Sequence, residues 1–168
     1  YQLGGDINVK NNWCLLISIQ RENLEIIKWI YSLNKIDFHQ DDEYFFRVAC
    51  SHSKLESAKL LHSFGDVDIY CNNSIAFSSA CLSGGLEISK WLYQIGDFDV
   101  HTENDIIFRY LCQLGFIDVL KWIYSLGGVD LHFDKDSAFR LAIISGNNEI
   151  AKWIYSLGNV KIKSNNHE

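Results

Sequence analysis

Apolar residues recur along this chain in a short pattern that is itself repeated. Val119, Trp122, Ile123 and Leu126 stand at i, i+3, i+4 and i+7, the one-sided stripe of an amphipathic helix. They lie in the stretch Ile117-Asp-Val-Leu-Lys-Trp-Ile-Tyr-Ser-Leu-Gly127, and a copy of it returns every 31 residues. Trp29, Leu60, Trp91, Trp122 and Trp153 superimpose without a gap, each preceded by a lysine: Lys28, Lys59, Lys90, Lys121 and Lys152. Three residues before each lysine, on the face opposite the stripe, stands Glu25, Glu56, Glu87, Asp118 or Glu149. Acid-base pairs at this spacing contribute only about 0.2–0.5 kcal/mol each, and their repetition on a solvated face marks them as structural rather than catalytic. The long helix ends at Gly127, matched by Gly65, Gly96, Gly158 and Asn34, the two residue types that best adopt the left-handed conformation just past a helix end.

Ahead of each long helix the pattern predicts a shorter one of about eight residues. It is closed by Gly84, Gly115 and Gly146, with Glu22 and Ser53 in the first two copies, and carries a small residue at Ser18, Ala49, Ala80 and Ala142, Leu111 being the exception. A small side chain there allows successive helices to approach closely. After each long helix come about ten residues with an apolar-acid-apolar centre, Ile36-Asp37-Phe38, Val67-Asp68-Ile69, Phe98-Asp99-Val100 and Val129-Asp130-Leu131, changed to Val160-Lys161-Ile162 in the last copy. Beside Gly and Asn this short alternation reads as an extended finger rather than a helix. A fixed period of this size predicts a stack of units, each too small to bury its apolar face alone. The expectation is therefore an all-α array over 1–168 with repeats near 6–36, 37–67, 68–98, 99–129 and 130–160 and partial units at both ends.

Composition narrows the function. Apolar runs stop at about seven residues, as in Trp13 to Ile19, far short of the ~20 that span a bilayer, and no signal-peptide pattern opens the chain. A net charge of −6 argues against a nucleic-acid backbone as partner, since that binding depends on clustered Lys and Arg. Five cysteines, an odd number, suit a reducing, cytoplasmic compartment, and Cys50, Cys81 and Cys112 share one repeat phase as small core residues. The absence of methionine and the opening at Tyr1 lead us to expect a segment of a longer chain.

Candidate chemistry is sparse. The sequence contains no Gly-rich phosphate loop, nucleophile elbow or close Cys/His cluster, so neither an enzyme nor a cofactor or metal site is expected. His39, His101 and His132 recur a full repeat apart with Tyr70 in the gap, too far apart to share a metal whose His nitrogens must each approach to ~2.0–2.1 Å. The tryptophans are expected in the core, burying ~150–250 Å² each, with Tyr31, Tyr93, Tyr124 and Tyr155 at a half-exposed edge.

The segment Gly84-Gly-Leu-Glu-Ile-Ser-Lys-Trp-Leu-Tyr-Gln-Ile-Gly96 resembles the second half of the ankyrin repeat, G-H-L-E-V-V-K-L-L-L-x-x-G, with Trp91 where leucine is usual. Two short helices and a finger are also the ankyrin plan. The T-P-L-H opening of that family is not kept, and Ser137-Ala-Phe-Arg140 takes its place in the fifth copy. Copies are 31 residues long rather than 33, and this dialect is similar to the ankyrin arrays of large DNA viruses that infect amoebae. The resemblance implies a helix-turn-helix solenoid and a non-enzymatic protein-binding module, working through its finger tips and the inner face of the short helix, in the cytoplasm of an infected host cell. Arg47, Arg109 and Arg140, standing at the lost His position with Ser78 among them, are expected to bind loop carbonyls or the repeated aspartates; the alternative is a ladder for an acidic ligand.

Residues that differ between copies mark the expected contact surface. In the fingers these are Gln40, Asp41, Asp42, Tyr70, Asn72, Asn73, His101, Glu103, Asn104, His132, Phe133 and Asp134; at the end of the short helix they are Leu82, Leu114 and Ile144. Acids outnumber bases there, so the expected partner is a protein with a basic rim around an apolar anchor, not a nucleic acid or a membrane. Further ankyrin repeats or an adaptor segment in a longer chain are expected beside it. The competing class is a structural spacer or assembly element of a larger chain or particle.

Overall fold

The computed structural model describes residues 12–157, apart from the side chains of 102–104. These residues form ten α-helices and no strand. Five are the expected short helices: α1 (Trp13–Gln20), α3 (Gln40–Ser51), α5 (Cys71–Leu82), α7 (Thr102–Leu114) and α9 (Phe133–Ile144). The other five are the long-stripe helices α2 (Leu24–Ser32), α4 (Leu55–Ser63), α6 (Leu86–Ile95), α8 (Ile117–Ser125) and α10 (Asn148–Ser156). The chain divides into two compact units, 1–98 with α1–α6 and 99–168 with α7–α10. Within the first unit each short helix packs on the long helix that follows it and on the next short helix, and α2 also meets α4; in the second, α7 packs on α8 and α9, and α9 on α10. Gly158 and the Val160-Lys161-Ile162 segment lie outside the described residues.

The apolar stripe of the long helix is turned from the expected one. Val119, Leu120 and Ile123 are fully buried, whereas Trp122 is only half-buried. The same phases are buried as Ile88, Ser89 and Leu92 in α6 and as Ser57, Ala58 and Leu61 in α4. The tryptophans are therefore not core residues: Trp91 and Trp153 are half-buried and Trp29 is exposed. Trp91 and Trp153 make their ring contacts from the edge, against the preceding copy. Trp91 meets His62 edge-on at 5.7 Å and Phe46 at 6.3 Å between centroids, and Trp153 meets Tyr124 at 5.3 Å and 87°. The inner line at the phase of Leu120 holds Ile27, Ala58, Ser89 and Ala151 in the other copies, none of them aromatic. The tyrosines are at the edge as expected, Tyr31 and Tyr155 exposed and Tyr93 and Tyr124 half-buried. The acid-base pairs close at 2.9 Å for Glu25–Lys28, 3.0 Å for Glu56–Lys59 and 3.5 Å for Glu87–Lys90.

Short helices end in a shared motif. The amide nitrogens of Asn23, Lys54, Gly85 and Asn147 donate back to the carbonyls of Ser18, Ala49, Ala80 and Ala142, the wide ring of a Schellman end, so the small-residue phase and the closing residue belong to one device. Glu22 and Ser53 adopt the same left-handed turn as the glycines, at φ 51° and 56°. Long helices are closed by left-handed Asn34, Gly65 and Gly127, but Gly96 is extended, at φ −132° and ψ 160°. There the glycine is needed for room: a Cβ would stand 2.4 Å from the Phe98 ring.

Between finger and short helix the backbone makes a left-handed turn at Asp41-Asp42-Glu43, at Asn72-Asn73-Ser74, at Asp105 and at Asp134-Lys135-Asp136. The right-handed part of the helix thus begins at Tyr44, Ile75, Ile106 and Ser137, one repeat apart. Non-glycine residues pay ~1–2 kcal/mol to sit there, Asp and Asn least, which accounts for the polar run at each junction. Ala49, Ala80, Ala142 and Leu111 are buried, as are Cys50, Cys81 and Cys112. Burial pushes the Cys81 and Cys112 thiols up to about 12 and the Cys50 thiol higher, so these are inert core atoms, not nucleophiles.

Candidate partner-binding surface

The fingers are built by their own acids. Asp37, Asp68, Asp99 and Asp130 each accept, through Oδ1, the backbone N–H two residues on, at 2.9 Å. These are Asx turns, and they explain the invariance of the finger aspartate across the first four copies. Behind each turn a histidine reaches an acid four residues on: His39 Nδ1 to Glu43 at 2.9 Å, His101 Nδ1 to Asp105 at 2.6 Å, His132 Nδ1 to Asp136 at 2.7 Å. Glu43 and Asp105 are buried, and their other contact is to the next finger: they accept from the backbone N–H of Asp68 and Asp130 at 3.3 and 3.0 Å. One carboxylate therefore locks its own left-handed turn and the following finger. Tyr70 replaces histidine in the remaining copy and takes another route, its hydroxyl accepting the Asp97 N–H at 2.8 Å while its ring lies on Phe98.

The arginines serve the same junction. Arg47 donates from Nε and Nη2 to the carbonyls of Asp42 and Asp41 at 2.7 and 2.8 Å, the loop-carbonyl contact expected of it. Arg140 pairs with Asp134 at 3.3 Å, and the Arg109 guanidinium lies 4.9 Å from the centre of the Phe133 ring. Of the expected contact residues, then, Tyr70, His101, His132, Phe133 and Asp134 are engaged in the fold. Asp41, Asp42, Asn72 and Asn73 are exposed on left-handed backbone, Gln40 and Leu82 are half-buried, and the side chains of Glu103 and Asn104 lie outside those described.

Leu114 and Ile144 are where an apolar contact would have to be. Both are exposed, Ile144 to 81%. The second unit also holds a groove of about 220 Å³ on the same two helices, lined by Ile106, Arg109, Tyr110, Gln113 and Leu141, with Tyr110 exposed as well. Comparison of the copies missed Tyr110, Ile106 and Leu141. The signal was present: Ile106, Tyr110 and Leu114 follow at i, i+4 and i+8, a second apolar line on α7 facing away from the buried Ile107, Phe108, Leu111 and Cys112. Among the described residues no group of three or more His, Cys, Asp or Glu is placed to hold a metal ion, and no helix is long and apolar enough to cross a membrane.

In general terms this is a helical repeat protein. Neither the profiles of known protein families nor the curated protein sequences yield a match to the chain.

Proposed function

We propose that the chain is an ankyrin-type array of about five stacked repeats that binds a partner protein and carries out no chemistry of its own. The observation that supports this most is the exposure of three large apolar side chains on α7 and α9, Tyr110, Leu114 and Ile144, the first of which lines the groove. Large apolar side chains gathered on one face are costly to leave in water and mark interaction surfaces. The short-helix face is also the one ankyrin-type arrays turn toward their partners. An apolar anchor of the partner fits the groove, and basic residues at its rim fit the exposed Asp41 and Asp42 and the other finger acids. Placing a photo-crosslinking amino acid at Leu114, Ile144 or, as control, Lys121 on the outer face tests the reading in lysate of the source cells. Discrete adducts from the first two positions and none from Lys121 support it; adducts from Lys121 alone put the partner on the opposite side.

A further inference from the structure

The arginine phase does not form a ladder. Arg47 donates to the Asp42 and Asp41 carbonyls and Arg140 pairs with Asp134, so both serve the turns of their own copies. Arg109 lies over the Phe133 ring at the start of α9, 4.9 Å from its centre, and also lines the groove on α7 and α9. A guanidinium carries five N–H donors in a rigid fork, enough to serve its own repeat and a ligand together. The ring contact fixes where that fork stands.

The rest of the lining is of two kinds. Ile106 and Leu141 are apolar, whereas Tyr110 and Gln113, both exposed, bring a hydroxyl and a carboxamide. Among the described residues Arg109 is the only charged one that lines the groove. Acids of the same repeats are held elsewhere: Asp105 by His101 and the Asp130 N–H, Asp136 by His132, and Asp134 by Arg140. No other copy sets a guanidinium, a phenol and a carboxamide at these three phases; the copy before has Ser78, Ser79 and Leu82, and the copy after has Arg140, Leu141 and Ile144. A volume of about 220 Å³ is below the ~300–1,000 Å³ of pockets that enclose a whole small molecule. It has room for a side chain or two of an extended segment.

We propose that this groove takes an acidic residue of the partner protein, its carboxylate on Arg109, Tyr110 and Gln113 and an adjoining apolar side chain against Ile106 and Leu141. A carboxylate accepts from all three groups and matches the guanidinium fork. Phosphorylated segments are bound by clusters of arginines, and one guanidinium in a chain of net charge −6 favours the smaller charge. Resting on the partner-binding reading, the acidic anchor adds what the partner must carry at the groove and leaves its basic residues to meet the exposed finger acids.

Fluorescence anisotropy on the full chain tests this with short labelled peptide pools that fix Leu followed by Glu, Gln, Lys or phosphoserine within otherwise degenerate sequence. The Glu pool is expected to bind at least ~10-fold tighter than the Gln pool, the size of one charge-assisted hydrogen bond, and Arg109→Gln to bring the two together. Gln113→Glu, at an exposed position, is expected to weaken the Glu pool selectively, and it decides the matter where Arg109→Gln loses helix content by circular dichroism. Lys121→Gln on the outer face leaves the preference in place. A Glu pool no tighter than the Gln pool, a preference that survives either folded variant, a tighter Lys or phosphoserine pool, or no saturable binding by any pool at ~1 mM, the weak end of specific association, overturns the proposal. Crosslinked adducts at Leu114 or Ile144 without a Glu preference leave the partner-binding reading standing while the acidic anchor falls; where those adducts are absent too, both fall.

Discussion

Gly115 and Gly146 close successive short helices at φ 90° and 75°, yet alanine should be tolerated very differently at the two. At Gly146 a Cβ meets nothing within 4 Å, so Gly146→Ala adds only left-handed strain. That strain is ~1–2 kcal/mol, offset in part by the ~0.4–1 kcal/mol that alanine contributes by stiffening the unfolded chain, for a net loss of about 1 kcal/mol. At Gly115 the new Cβ stands 2.9 Å from Asn147 Oδ1 and 3.4 Å from its Cγ. The Asn147 side chain must move, and it holds the Cys112 and Gln113 carbonyls. Losing those two bonds adds ~0.5–1.5 kcal/mol each, so Gly115→Ala is expected to cost ~2–4 kcal/mol in all. Urea denaturation followed by circular dichroism reads both as shifts in midpoint at constant slope. The decisive comparison is a double-mutant cycle: in an Asn147→Ala background the cost of Gly115→Ala should fall to that of Gly146→Ala. Equal costs in the parent, or additivity within ~0.5 kcal/mol, would refute the reasoning that Asn147 is the obstacle.

Three further outcomes follow from the same geometry. Ile123→Ala should cost ~2–5 kcal/mol, more than Trp122→Ala despite the larger side chain removed, since Ile123 is fully buried and Trp122 is not; the reverse order in denaturation midpoints would restore the tryptophans to the core. Asp105→Ala removes the partner of both His101 Nδ1 and the Asp130 N–H, so ~1–3 kcal/mol is lost and the Asp130 amide should exchange faster with deuterium than in the parent. Burial raises the Cys81 and Cys112 thiols to about 12 from 9.0. The native state therefore keeps its protons where the unfolded chain ionises, and the stability is full below about pH 9 and lost as pH climbs toward 12, at ~1.4 kcal/mol per pH unit per thiol. Replacing both by alanine should flatten the alkaline fall in denaturation midpoint, and an unchanged fall would show that other groups cause it.

Much of the fold was legible because one error-free period carried it. Helix positions, the left-handed glycine closures and the buried cysteine phase could be read from residues 31 apart. What misled was the choice of face. A 3.6-residue period places Val119, Trp122, Ile123 and Leu126 on one stripe, and Val119, Leu120 and Ile123 on another turned by less than a turn. Indole hydrophobicity favours the first, whereas the inner line mixes Ile27 and Leu120 with the small Ala58, Ser89 and Ala151, so that no uniform hydrophobic phase announces it. Gly96 shows the same limit, since its glycine answers to the Phe98 ring two residues on and not to backbone sign. The histidine clasp was written as His39/Glu43, His101/Asp105 and His132/Asp136, four apart in each case. Its meaning required the left-handed turn between them, which no hydrophobic period reports.

That turn also changes what variation between copies can say about a site. The phase of 41, 72, 103 and 134 and the one after it differ from copy to copy, but six of their eight residues are Asp or Asn, with Glu103 and Lys135 the exceptions, and Asp and Asn are the residues that left-handed backbone tolerates best. Their variation is bounded by conformation before any partner acts on it. His101 and His132 are likewise held by the acids of the turn. Leu82, Leu114 and Ile144 are under no such restraint: they sit at the ends of right-handed helices, and at Leu114 and Ile144 the side chain is in water. A large apolar residue kept exposed where a polar one would serve the helix equally well is the harder feature to explain by folding alone. On the proposed partner-binding reading, the exposed short-helix ends therefore carry more weight than the fingers in locating the contact.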